Sequence, residues 1–269
     1  MNTQGVAAST TLQRPLMVAV VTLEVLVLAD YAHELLSRLA AYRALYRTHA
    51  FYLPESIDKL AGLALCALTV WFLCSDGFRS VSRELGLTAP LLPAIAFALM
   101  VSSPMWIGFA LTRKLTSHIQ LVPLLFLTVF SPFVEEVEFR GFGVRYLQRG
   151  TGRSFWLVVW PSALLFGIGH IEQGQTFQEI AGLFFLTAAG GVTFAWLVYR
   201  WQNAVTLHVC MNLWWELFSV ARSAIGGWLP FALQNLTMVL AILFTLGWTR
   251  STNIAAAVRP PDRSAAFTG

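Results

Sequence analysis

Residues 119–141 read IQLVPLLFLTVFSPFVEEVEFRG. The stretch opens as an uncharged run of Leu, Val, Phe and Ile, and ends in three carboxylates and one guanidinium within six residues. About 20 mostly apolar residues are what a helix needs to cross the hydrocarbon of a bilayer. Runs of the same kind recur outward from this one, at roughly 15–35, 57–75 and 89–112 before it, and at 155–171, 180–201, 203–220 and 229–249 after it. The expected fold class is therefore all-α, a polytopic membrane helix bundle of about eight transmembrane helices. Eight such spans consume ~160 residues, so a single integral-membrane domain over 1–269 is expected. Its motif-bearing core lies at about 120–220, and the Ala-, Arg- and Pro-rich residues 250–269 read as a disordered tail.

Composition agrees. Hydrophobic residues make up 57% of the chain, charged ones 12%, and the mean hydropathy is +0.64. A soluble domain carries about twice that charge. Ten Trp and 20 Phe exceed what a soluble core of this size would bury. A soluble enzyme and a disordered chain are thereby excluded. The net charge of +4 does not signal nucleic acid, because the 18 Lys and Arg are scattered between apolar runs and form no basic stripe. The three Cys, at 66, 74 and 210, give neither a disulfide framework nor a CxxC metal spacing. Cys66 and Cys74 read as small buried hydrophobes.

The first run follows Arg14 but holds Glu24 and lacks a small-residue cleavage site, so it reads as a retained signal-anchor helix. Alternating the loops between the two membrane faces puts eleven Lys and Arg on the side of the termini and seven on the other. The positive-inside rule then places both termini in the cytoplasm. No internal repeat supports an inverted-repeat transporter.

Ionisable groups at membrane depth are costly, and each is a candidate for function. Three clusters stand out. In the first, Glu136 and Arg140 are four apart and share a helix face in the favoured order, while Glu135 points ~100° away and is left free. A desolvated Glu135 opposed by Arg140 could be poised as a base. A plain juxtamembrane charge cluster is the alternative. In the second, Phe166-Gly167-Ile168-Gly169-His170, the glycines admit a close neighbour, although a lone His can also be an interface residue. In the third, His208 and Asn212 lie ~40° apart on one face and Cys210 points away from them. That pair suits either an oxyanion site or interhelical hydrogen bonding. A Glu and a His can activate water, and a His and an Asn can stabilise an oxyanion. Together they are the minimum equipment for amide hydrolysis.

Glu135-Glu136-x-x-x-Arg140, Phe166-x-x-x-His170 and His208-x-x-x-Asn212, in this order on successive helices, resemble the glutamic-type intramembrane proteases. These form the CPBP or Abi superfamily of the Rce1-type CAAX prenyl endopeptidase. The resemblance covers about 120–220, and the ordered set is more specific than any one motif. It implies that Glu135 activates the water, and that His170 holds the same water or passes its proton to the leaving amine. It further implies that His208 and Asn212 form the oxyanion site and that Glu136 and Arg140 brace the pocket. Ala204, four before His208, stands where many relatives carry Phe, which alters packing rather than chemistry. Glu138 and Glu216 receive no role. The implied substrate is a membrane-anchored protein or peptide, with no cofactor and no metal. The short loops look like those of a bacterial member in the inner membrane, which speaks against a prenylated substrate.

Other readings remain open at this point. A zinc protease wants HExxH, and His33-Glu34-Leu35-Leu36-Ser37 lacks the second His. Glu135, His170 and His208 could still gather around zinc. Serine and aspartyl intramembrane proteases lack their Gly-x-Ser-Gly and Gly-x-Gly-Asp contexts. A non-catalytic scaffold or immunity protein of the same fold, and a proton-coupled transporter using Glu24 and Asp30, complete the set.

Overall fold

The computed structural model describes residues 4–48, 52–73, 78–88, 90–113, 115, 120–201, 205–218 and 227–258. Among them the chain is all α-helical and no strand occurs. The first run forms α1 (Gln4–Asp30), followed by the short α2 (Ala32–Leu36) and α3 (Ala40–Tyr46). Next come α4 (Leu53–Leu73), α5 (Phe78–Glu84), α6 (Leu91–Val101) and α7 (Ser103–Thr112). Pro104, in the first turn of α7, fits a helix start but would break a continuing one. The α6–α7 pair is accordingly bent by 46°.

A central segment carries the residues quoted first. It comprises α8 (Leu121–Leu125), a π-helical turn (Phe126–Phe130), α9 (Ser131–Glu135), a π-helical stretch (Glu136–Tyr146) and α10 (Leu147–Thr151). Gly152, at φ 67°, ends α10 in the left-handed conformation that glycine adopts without a Cβ penalty. The chain continues as α11 (Phe155–Ile168), a 3-10 turn (Ile171–Gln173), α12 (Phe177–Trp201), α13 (Val205–Leu217) and α14 (Trp228–Val258).

Two large apolar cores flank the central segment, and a smaller one of Val144, Leu147, Val158, Val159 and Ala195 ties it to α11 and α12. Leu26 of α1, Cys66 and Val70 of α4, Leu85 after α5, and Val137 and Phe142 of the π stretch form one. Phe97 of α6, Met105 and Phe109 of α7, Leu197 of α12 and Met211 of α13 form the other. Outside them, large apolar side chains are bare, such as Phe72 at 83% and Leu111 at 81% exposure. In water such a surface would aggregate, whereas in hydrocarbon it is solvated.

The all-α membrane bundle is as expected, and among the described residues fewer than eight helices meet the length and apolarity of a span. Among the described residues four helices are long and apolar enough to cross: Leu53–Leu73, Phe155–Gln173, Phe177–Val198 and Trp228–Trp248. The bent α6–α7 pair makes a fifth. Two of the expected spans are broken or short for physical reasons. The central run is divided where π winding replaces α, next to its charges. The 13 residues of α13 rise only about 20 Å, against a core of about 30 Å.

The expected tail also begins inside a helix. α14 continues through Val258, because Ala255, Ala256 and Ala257 favour helix and Pro260 lies beyond its end. Residues 259–269, Cys74 and Ala204 lie outside the described residues. Cys66 and Cys210 are buried and unpaired.

α2 and α3 are fastened to the start of α4 by polar contacts. Tyr42 donates to Asp58 at 2.7 Å, and His33 Nδ1 lies 3.1 Å from the same carboxylate. Burial, and then this carboxylate, hold the Tyr42 hydroxyl above the ordinary tyrosine range. His33, the residue of the incomplete zinc motif, is thus part of a juxtamembrane fastening.

Candidate active site

Glu135 closes α9. Its Oε1 accepts from Ser131 Oγ, one helical turn earlier, at 2.8 Å, and from Lys59 Nζ of α4 at 2.9 Å. The Glu135 side chain is 14% exposed and that of Lys59 30%. Glu136 opens the π stretch and is sealed. Its Oε1 lies 2.8 Å from His208 Nδ1 and 3.5 Å from Arg140 Nη1. Arg140 is buried as well, with its guanidinium 4.0 Å above the Phe166 ring and 5.5 Å from that of Phe194. These aromatic faces supply part of the cation stabilisation that water would give.

The two histidines are oriented by their Nδ1 atoms. His170 Nδ1 is 2.7 Å from the Phe166 carbonyl, which can only accept. The proton therefore sits on Nδ1, and Nε2 of a neutral ring is left with its lone pair. His208 Nδ1 donates to Glu136, and its ring stacks on Phe194 at 5.1 Å. Asn212, one turn on from His208, donates from Nδ2 to the Leu127 carbonyl at 3.3 Å. The first π-helical turn thus holds the residue that anchors Asn212.

Ser131, Glu135, His170, His208 and Asn212 all line one cavity of about 450 Å³, which Met105, Phe194 and Trp215 close on its apolar side. Three places in the chain supply these polar groups: α9 gives Ser131 and Glu135, the turn between α11 and the 3-10 turn gives His170, and α13 gives His208 and Asn212, the last held by Leu127 of the π turn behind it. Glu136 and Arg140 stand outside this lining. Five of the six residues singled out from the sequence are linked by direct contact to one another or by a shared wall, and Arg140 joins them through Glu136.

One expectation is corrected. The cation facing Glu135 is not Arg140, which is spent on Glu136 and two aromatic rings, but Lys59. Sequence reading gave Lys59 no role. The signal for it was present, since a Lys six residues into α4 sits inside a candidate span. Ser131 was likewise quoted without a role. Glu138 faces away from the cavity, buried with its carboxylate against Gly62 of α4. Glu216 is on the cavity wall and Glu24 on the exposed face of α1. No set of three His, Cys, Asp or Glu side chains among the described residues is gathered in a metal-holding arrangement.

No curated protein and no solved structure matches the chain. Residues 117–214, which carry all six of the singled-out side chains, match the family model described as Type II CAAX prenyl endopeptidase Rce1-like. Over this segment, which is a little more than a third of the chain, the protein is similar to the Rce1-like family.

Proposed function

We propose that the protein is a glutamic-type intramembrane endopeptidase. It hydrolyses a peptide bond of a membrane-anchored protein or peptide, close to its C-terminal anchor or processing site. The observation that carries this reading is the common wall: Glu135, His170, His208 and Asn212 line one cavity of about 450 Å³ inside a membrane bundle. Peptide hydrolysis consumes one water. Glu135 takes its proton as the oxygen adds to the scissile carbonyl, while His170 Nε2 holds the same water. The carbonyl becomes an oxyanion, stabilised by Asn212 and His208. For His208 to donate from Nε2 its ring must be doubly protonated, and the Glu136 carboxylate at Nδ1 balances that charge. Collapse of the intermediate expels the amine, which receives the proton by way of His170. Water, one proton transfer in and one out, and two product termini balance.

The whole chain acts in this reading as one integral-membrane unit, in a bacterial inner membrane with both termini cytoplasmic. No cofactor is needed.

The test uses the purified full-length protein in detergent with two probes. One is a farnesylated CAAX-type peptide, the other an unprenylated peptide carrying a C-terminal hydrophobic anchor. Mass spectrometry of the products locates the cut. Cleavage of the anchored peptide is expected. Glu135→Gln, which keeps the shape but cannot take a proton, should lower turnover by about 10²–10⁴-fold. Near-wild-type turnover of a well-folded Glu135→Gln protein would refute the assignment of the base.

A further inference from the structure

The Lys59–Glu135 pair is unlike an anchoring charge at a membrane edge. Lys59 approaches from α4, behind the cavity, and is not part of its lining, whereas Glu135 and Ser131 are. The ammonium and the Ser131 hydroxyl converge on the same oxygen, Oε1, at 2.9 and 2.8 Å. One carboxylate oxygen is thus held by two donors from two elements, on α4 and α9. The second oxygen receives neither of them. A carboxylate pinned in this way has lost rotation about its last torsion, and a catalytic group displaced by about 1 Å can lose roughly 100-fold in rate. Arg140 does not substitute, because it is held between Glu136, Phe166 and Phe194. Asp30 and Glu138 are further charges that Lys59 faces, from α1 and from the π stretch.

We propose that Lys59 is a positioning residue for the hydrolysis: with Ser131 it clamps Oε1 of Glu135 so that the other carboxylate oxygen is presented to water in the cavity. This rests on the reading of Glu135 as the water-activating group. Lys59 is not among the cavity-lining residues and acts through Glu135. Its position 76 residues before Glu135 makes α4 part of the catalytic apparatus, although it lies outside the 117–214 segment.

The test compares Lys59→Met, Lys59→Arg, Ser131→Ala and Glu135→Gln on the anchored peptide that the wild-type protein cleaves. Lys59→Met should lower kcat by about 100-fold and leave KM within a factor of about two. Lys59→Arg, which keeps a donor cation, should recover most of the loss. Ser131→Ala leaves the ion pair in place and should cost about tenfold in kcat. If Lys59→Met does not fold, Ser131→Ala and Lys59→Arg carry the test: wild-type kcat in Ser131→Ala would overturn the clamp. A folded Lys59→Met protein with unchanged kcat would overturn it too, as would one whose loss lies wholly in KM. Glu135→Gln separates the two levels. Activity there refutes the base itself, whereas an inactive Glu135→Gln beside a fully active Lys59→Met refutes the clamp alone.

Discussion

Among the described residues Arg140 is the largest of the fully buried side chains, and its charge is paired with Glu136. Its three guanidinium nitrogens donate no hydrogen bond to any described residue. The Glu136 carboxylate at 3.5 Å and the Phe166 and Phe194 faces therefore carry the cation between them. Removing it leaves Glu136 buried, facing only His208. Arg140→Ala is expected to lose about 3–5 kcal/mol of stability, as broken buried pairs do. Thermal unfolding in detergent and membrane yield would both read the loss. A variant with wild-type unfolding but no activity would instead make Arg140 a participant in the chemistry. This pair was legible in the sequence because four residues separate its members and helical winding brings them together. The Lys59–Glu135 pair was not legible, because nothing local records a contact across 76 residues. The same is true of His208 and Glu136, each of which was picked out separately while the 2.8 Å bond between them was not foreseen.

At the level of elements, the π stretch Glu136–Tyr146 is the piece on which the site depends. Hydrogen bonding from i to i+5 is rare, and π segments recur at functional sites. Nearly every side chain of this stretch is buried, and its glycines are where neighbours come closest. A Cβ on Gly141 would stand 2.6 Å from the Leu85 carbonyl oxygen. One on Gly143 would meet Ser162 Oγ at 2.7 Å and Leu26 Cδ1 at 2.8 Å. Ser162 also donates to the Phe139 carbonyl at 2.7 Å, which ties α11 to the stretch. Since Leu85 offers backbone rather than a flexible side chain, Gly141→Ala must move α5 or the stretch itself. A loss of about 1–3 kcal/mol is expected, the range of overpacked cores. Gly247→Ala, with open space around its position, serves as the comparison and should stay within about 1 kcal/mol of wild type. Equal unfolding midpoints for the two variants would show that the contact at Leu85 is not constraining. Neither the π winding nor these approaches could be read beforehand. Apolar runs report burial in lipid or protein, not how the backbone winds within them.

Over the whole molecule, membrane residence follows from composition, because a chain with 12% charged residues has no other solvent for its surface, and the all-α class follows from apolar runs of about 20 residues. The number of crossings does not follow. Apolar length identifies 203–220 as a span, but the helix there has only 13 residues, and its polar face belongs to the cavity. The gathering of donors from distant elements bears equally on the choice between a metal-free and a zinc-dependent hydrolase. A catalytic zinc takes three protein ligands, and its histidines have their other nitrogen held by a partner. His170 and His208 each satisfy the second condition, with Nδ1 bonded to the Phe166 carbonyl and to Glu136. The third ligand is what fails. Glu135 already accepts from Lys59 and Ser131, and an ammonium 2.9 Å from the carboxylate opposes a divalent cation on the same group. No alternative trio of donors is gathered among the described residues. Activity on the anchored peptide is therefore expected to survive prolonged dialysis against strong chelators, with zinc well below one equivalent by elemental analysis. The two histidine variants would then differ in kind. His170→Ala should fail in proton transfer at unchanged KM, whereas loss of a metal ligand would abolish zinc content along with turnover. Stoichiometric zinc, with activity removed by chelation and restored by adding the metal, would mean that Lys59 leaves Glu135 when the site is loaded.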